Sequence, residues 1–195
     1  TTLYTFLKEL NKGQVNITTV EDPVENVIPG VNQVQVNPKA NLTFSSALRS
    51  ILRQDPNIIM LGEIRDEETA MISIRAAITG HLVLATLHTN DAIGSFDRLV
   101  DMGVPNYLVA DAMIGAIAQR LVRKLCPRCK KEHEITDAEM KILNIDKKVN
   151  IMHSVGCDNC NHTGYQGRTA VFEILEMDDN IRKKLSKERL TPEEL

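Results

Sequence analysis

An unbroken apolar run, Ile58-Ile59-Met60-Leu61, follows Asp55-Pro56-Asn57 and gives way abruptly to Gly62-Glu63-Ile64-Arg65-Asp66. Four consecutive apolar residues bounded by turn signals read as a buried strand of an open parallel sheet. Ligands in such sheets sit beyond the carboxyl ends of the strands. An acid released there, Glu63, is placed to hold a hydrated divalent cation or to polarise water. On this stretch alone a surface charge closing a strand is an equal alternative.

Two neighbouring segments decide between them. Val15-Asn16-Ile17-Thr18-Thr19-Val20-Glu21-Asp22-Pro23 is a second strand-like run ending in acids, with Pro23 stopping the ladder. His81-Leu82-Val83-Leu84-Ala85-Thr86-Leu87-His88 is a third, whose polar end Thr89-Asn90-Asp91 can cap a helix. Three strands that release Glu21, Glu63 and His88 at the same kind of end point to one shared phosphate or metal site.

These runs carry a resemblance. Thr19-Val20-Glu21-Asp22-Pro23-Val24-Glu25, Gly62-Glu63-Ile64-Arg65-Asp66 and Thr79-Gly80-His81 through Asp91 resemble, in order, the Asp box, Walker B and His box of secretion ATPases. That family powers type II secretion and type IV pilus assembly, and the likeness extends from residue 1 to about residue 177. It implies an α/β fold: a RecA-like three-layer parallel-sheet core over 1–125, a tetracysteine zinc-binding element over 126–164, and a carboxyl-terminal strand and helix over 165–195. Asn57 departs from the pattern, because the family often has aspartate before the Walker B strand.

Composition agrees with this reading without having produced it. At 195 residues, 43% hydrophobic and 25% charged, the chain can bury one core and carry an appendage. A formal charge of −3 and only 4% aromatic residues argue against a nucleic-acid surface, so no direct nucleic-acid partner is expected. No apolar run approaches membrane-spanning length. Four cysteines in two C-x-x-C pairs, with no tryptophan, suit an intracellular metal-binding protein better than a disulfide scaffold.

In chain order, Leu3, Phe6, Leu7 and Leu10 recur at helical spacing before Gly13. The resemblance sets Thr1-Thr2-Leu3-Tyr4 directly after a phosphate-binding Gly-x-x-x-x-Gly-Lys-Ser/Thr, which this sequence lacks. A fragment starting just past its phosphate cradle, inactive by itself, is therefore expected. Pro29-Gly30 marks a turn, residues 31–37 alternate as a half-exposed strand, and residues 42–53 form an amphipathic helix with Arg49 and Arg53 on a solvated face. Further helices are predicted over 66–78, 91–102, 107–125 and 178–190, and a strand over 164–175. Arg120 and Arg123 read as structural residues of a basic helix end.

Cys126-Pro127-Arg128-Cys129 and Cys157-Asp158-Asn159-Cys160 are separated by 27 residues. Two knuckles offering four thiolates suit a structural Zn²⁺ site with no open coordination position. His133, His153 and His162 stand nearby but are not needed as ligands. Thr136 and Glu139 form a capping-box pattern that starts a short helix.

Roles follow as what the resemblance implies. Glu63 acts on the Mg²⁺ shell and attacking water, Glu21 is the second residue to orient that water, and His88 senses the γ-phosphate of ATP. His81 supports its strand from the other end, Arg65 and Asp66 pair or cap beside the nucleotide, and Asp22 is a strand-end acceptor. The tetracysteine element points to an assembly or export motor, since pilus retraction motors usually lack it. The partners implied are a homo-hexamer and the cytoplasmic face of an inner-membrane secretion or pilus assembly platform. A DNA-uptake motor of the same family, or a zinc-ribbon nucleic-acid module, are the alternatives.

Overall fold

In the computed structural model, which describes residues 2–187, the apolar residues at helical spacing near the start form one side of α1 (Thr2–Leu10). The chain continues through β1 (Ile17–Glu21), β2 (Asn32–Gln35), α2 (Phe44–Ile51), β3 (Ile58–Leu61), α3 (Glu67–Ile78) and β4 (Leu82–Ala85). These strands make one sheet in the order β2-β1-β3-β4, every pair parallel, with Val20 opposite Leu61 and Leu61 opposite Ala85. All residues of β1 and β3 are buried, which explains why β3 is apolar without alternation.

The two faces of the sheet are covered by different helices. Ile17, Ile58 and Met60 join Leu7, Leu3, Tyr4 and Leu10 of α1 in one cluster. Val20, Ile59 and Leu61 point the other way, into a cluster with Leu48 and Ile51 of α2 and Ala70 and Ile74 of α3. Three layers result. β2, at one edge of the sheet, is half exposed. Thr43 caps α2 in a capping box with Ser46. Asp66 caps α3, accepting from the Thr69 amide at 2.8 Å and its hydroxyl at 2.9 Å. Caps of this kind stabilise a helix by about 1 kcal/mol.

Then come α4 (Gly94–Asp101), α5 (Asn106–Ala112), β5 (Gly115–Leu125), β6 (Lys131–Glu134), α6 (Asp137–Leu143), β7 (Asn150–His153), β8 (Tyr165–Glu176) and α7 (Asp179–Leu185). The helix predicted over 107–125 is corrected here. It stops at Ala112, and residues 115–125 form a strand paired with β8. Ile117, Leu121 and Leu125 recur at helical spacing, so the local pattern misleads; pairing with a segment far along the chain overrides it. Gly115 permits that pairing, because a Cβ there would stand 2.8 Å from the Leu175 carbonyl oxygen. The predicted helix 178–190 is described only as α7, and its remainder lies outside the described residues.

By its contacts the chain divides into two units. The first runs to Ala118 and resumes at Glu173; the second is Gln119–Phe172. In the first, Leu175, Met177 and Leu185 complete the cluster beneath α3 and α5, and the Arg182 guanidinium donates to the carbonyls of Ala110 and Asp111 that end α5. In the second, β6 and β7 form an antiparallel ribbon with α6 between them in sequence. Among the described residues no helix is long and apolar enough to cross a membrane.

The capping box of α6 makes a test of pH. Glu139 accepts from the Thr136 amide and hydroxyl and lies by His133, which brings its carboxyl down to about 2. A depressed folded value stabilises above the unfolded one, so this contribution is present above about pH 4.5 and lost as pH falls through about 2. The protection factors of the α6 amides, each rate being referred to the intrinsic rate at the same pH, are expected to fall over that window. Glu139→Gln should remove the acid-dependent part and leave a flat profile.

Candidate functional site

The connection leaving β1 goes to β2 on one side, and the connection leaving β3 goes to β4 on the other. The crevice between the carboxyl ends of β1 and β3 is thus a topological switch point, where open sheets place ligands. Segment 62–65 is pinned across it. The Gly62 amide donates to Val20 O at 2.8 Å, the Ile64 amide to Thr86 O at 3.0 Å, and the Thr86 hydroxyl to Gly62 O at 2.5 Å. Glu63 emerges from this tether with its side chain only 14% exposed.

Arg65 pairs with one carboxylate oxygen of Glu63, and His88 Nε2 lies 3.4 Å from the other. The guanidinium hydrogen bond holds the Glu63 carboxyl below the usual carboxylate range, against the opposing effect of burial. An ionised carboxylate therefore stands ready at the strand end. Arg65 and His88 are themselves largely exposed, so either can leave Glu63 for another partner. The structure brings Glu63, Arg65 and His88 together, whereas the sequence expectation groups Glu63 and His88 with Glu21 and sets Arg65 beside Asp66.

Glu21 is differently placed. It is 3% exposed, and its carboxylate accepts from the Thr19 hydroxyl at 2.5 Å, the Gln33 side-chain amide at 3.0 Å and the Tyr4 hydroxyl. Those donors occupy the group that would orient water. Two acids of the same segment are exposed, Asp22 and, four residues after Glu21, Glu25, whose amide donates to Tyr4 Oη at 3.1 Å. Sequence reasoning missed Tyr4, Thr19 and Gln33. The only available signal was that Thr19 and Glu21 share one face of a strand.

The remaining candidates scatter. His81 sits at the amino end of β4, away from Glu63, where Nδ1–H donates to the Ala76 carbonyl at 2.9 Å. Asp66 is engaged in capping α3. Arg49 pairs with Glu68 at 2.6 Å, both side chains more than half exposed, so solvent screens the contact. Asp22 lies exposed beside the pinned segment.

The four cysteines converge in the second unit. All four Sγ atoms lie within 4.8 Å of one another, with separations of 4.0 Å for Cys126 and Cys157 and 3.8 Å for both Cys129 and Cys157 with Cys160. A tetrahedral ion with bonds of about 2.3 Å to sulfur needs edges of about 3.8 Å, so the set fits Zn²⁺. Amides of Gly156, Cys157 and Gly164 donate to Cys129 or Cys160 at 3.2 to 3.3 Å. Burial opposes ionisation of Cys160, but the amides of Cys157 and Gly164 outweigh it and bring the thiol down to about 6. Gly164, at φ +76°, is required there because a Cβ would stand 2.5 Å from Ser154 Cβ. His162 pairs with Asp158 at 3.0 Å and His133 with Glu139 at 3.3 Å, outside the sulfur set.

Comparison with known proteins places this geometry. The sequence model of the type II/IV secretion system protein family matches residues 1–193. The type II secretion system ATPase E of Vibrio cholerae is 49% identical over 190 residues, 96% of this chain and 38% of the relative. The type IV pilus assembly ATPase PilB of Thermus thermophilus is 49% identical over 185 residues, 93% of this chain and 21% of the relative. This chain thus spans about two fifths or less of the curated relatives it matches. Among solved structures, the pilus retraction motor PilT with bound ADP aligns at a TM-score of 0.68 and 30% identity, covering 96% of this chain and 46% of that one. The Legionella pneumophila ATPase DotB, at 23% identity and a TM-score of 0.64, shares the fold.

Proposed function

We propose, for a chain that belongs to the type II/IV secretion system protein family, that it forms part of a cytoplasmic motor that hydrolyses ATP to drive protein secretion or type IV pilus assembly. The observation that carries this reading is Glu63, held ionised at the switch point by Arg65 with His88 beside it. Phosphoryl transfer to water needs positioning and charge stabilisation, not a protein nucleophile. Bound ATP and Mg²⁺ would supply the leaving group and the neutralising cation.

This chain's own residues then divide the work. Glu63 would hold the cation through its hydration shell and orient the attacking water, His88 beside it would contact a phosphate oxygen, and Arg65 would keep the Glu63 carboxyl ionised. Glu25 takes the second acidic role in place of Glu21, supported by its exposure and by the three donors that engage Glu21. The 195 residues contain no Gly-x-x-x-x-Gly-Lys-Ser/Thr, so none of them is read as the phosphate cradle. Zn²⁺ held by Cys126, Cys129, Cys157 and Cys160 braces the second unit and takes no part in hydrolysis. The active form is a RecA-like homo-hexamer docked on an inner-membrane platform.

ATP hydrolysis by the protein at the length of its relatives tests the reading. Turnover per chain should rise with protein concentration as rings assemble. Absence of hydrolysis at every concentration would sink it.

A further inference from the structure

We propose that Tyr4 and Gln33 are positioning residues for hydrolysis: through the buried carboxylate of Glu21 they fix segment 22–28, and with it Glu25, at the carboxyl edge of the sheet. The inference deepens the motor reading and rests on it.

Segment 22–28 contains neither helix nor strand, so its backbone groups must find partners elsewhere. Side chains supply them. The amides of Glu25 and Asn26 donate to Tyr4 Oη at 3.1 and 3.4 Å. The Asn26 carbonyl accepts from Gln33 Nε2 at 3.0 Å, and the Ile28 amide donates to Gln33 Oε1 at 2.7 Å. The Val24 amide donates to Gln35 Oε1 at 3.2 Å.

The same two side chains hold Glu21. Tyr4 donates its hydroxyl proton to one carboxylate oxygen, and the Gln33 amide group that holds Asn26 also donates to the other at 3.0 Å. Burial and the bond to Glu21 raise the Tyr4 pKa, so its hydroxyl keeps the proton it donates. Tyr4 Oη therefore gives one hydrogen bond to the sheet and takes two from the segment. Phenylalanine would fill the same space and lose all three, leaving a buried acceptor and two amides without partners. Glu25, exposed on a segment with no regular structure, takes its position from this network.

The test uses the full-length protein and measures steady-state ATP hydrolysis and nucleotide affinity. Tyr4→Phe and Gln33→Ala are made alone and in combination with Glu25→Gln, with Glu63→Gln as the control for the motor reading. Tyr4→Phe is expected to lower kcat about tenfold with KM and nucleotide affinity within about twofold, because a shifted acid costs the transition state and not binding. On a Glu25→Gln background the same change should lower kcat less than about twofold, since the group it positions is already gone. Should Tyr4→Phe fail to fold, Gln33→Ala carries the same cycle. If kcat of both variants stays within about twofold of wild type, or if their losses multiply in full with that of Glu25→Gln, Tyr4 and Gln33 are not positioning residues. That result, beside a Glu63→Gln that abolishes turnover, overturns this inference alone; a Glu63→Gln with wild-type turnover overturns the motor reading and this inference with it.

Discussion

In the full-length protein, Glu63→Gln is expected to lower kcat for ATP hydrolysis by at least about a hundredfold while nucleotide affinity changes by less than about threefold. Glutamine keeps the size of the side chain and one acceptor oxygen, so the tether from Gly62 to Thr86 and β1 survives. What disappears is the negative charge, which Arg65 holds ionised at the switch point. Charge aimed at the reacting water acts on the transition state more than on bound ATP, and about 3 to 5 kcal/mol is the magnitude asked of it. Arg65→Gln gives an independent check with a defined sign. Without the guanidinium the Glu63 carboxyl rises toward its ordinary value, so the acid limb of kcat/KM should move to higher pH. Near wild-type turnover in Glu63→Gln would end the assignment of this strand end to hydrolysis.

The second large effect concerns the cysteines. Freshly purified protein is expected to carry one zinc per chain, and stripping it with a strong chelator should release amide protection across 119–172 while the parallel sheet stays protected. The second unit has a thin apolar interior, three buried cysteines and Ile135 being its fully buried members of that kind. A structural zinc in such a site contributes about 10 to 16 kcal/mol of apparent binding energy, far more than so few buried side chains can replace. Cys160→Ala should reproduce the chelator's effect at neutral pH. Less than about half a zinc per chain, with the second unit still protected, would show that the sulfurs meet without a metal.

Much of the parallel sheet was legible because the cause of each strand is local. β3 lacks polar alternation because helices cover both its faces, and β2, polar at three of its four positions, is a half-exposed edge. Thr136 announced its helix by a capping box with Glu139, which involves residues only three positions apart. The two cysteine pairs were equally readable, since a C-x-x-C knuckle carries its geometry within four residues.

Where a partner lies far along the chain, the sequence misled or was silent. Residues 115–125 satisfy helical spacing, yet the ladder offered by residues 165–176 makes them a strand. Arg49 is solvated as expected, its side chain 56% exposed, but its pairing with Glu68 of another helix was not foreseen. Most consequentially, the stretch sets Glu21 on the strand and Glu25 past its end, which favours Glu21, and nothing in it shows which donors will hold Glu21.

The sequence by itself determined the strands of the parallel sheet, their polar ends, most of the helices and the sulfur set, because these depend on periodicity and on contacts within a few residues. Tertiary structure alone decided which of the acids after β1 is engaged by donors and which are exposed. Tyr4 from α1, Thr19 from β1 and Gln33 from β2 converge on Glu21 and engage its oxygens, leaving Glu25 exposed. A carboxylate's chemistry depends on which donors already hold it, and those donors are brought together only when the helix and both strands pack.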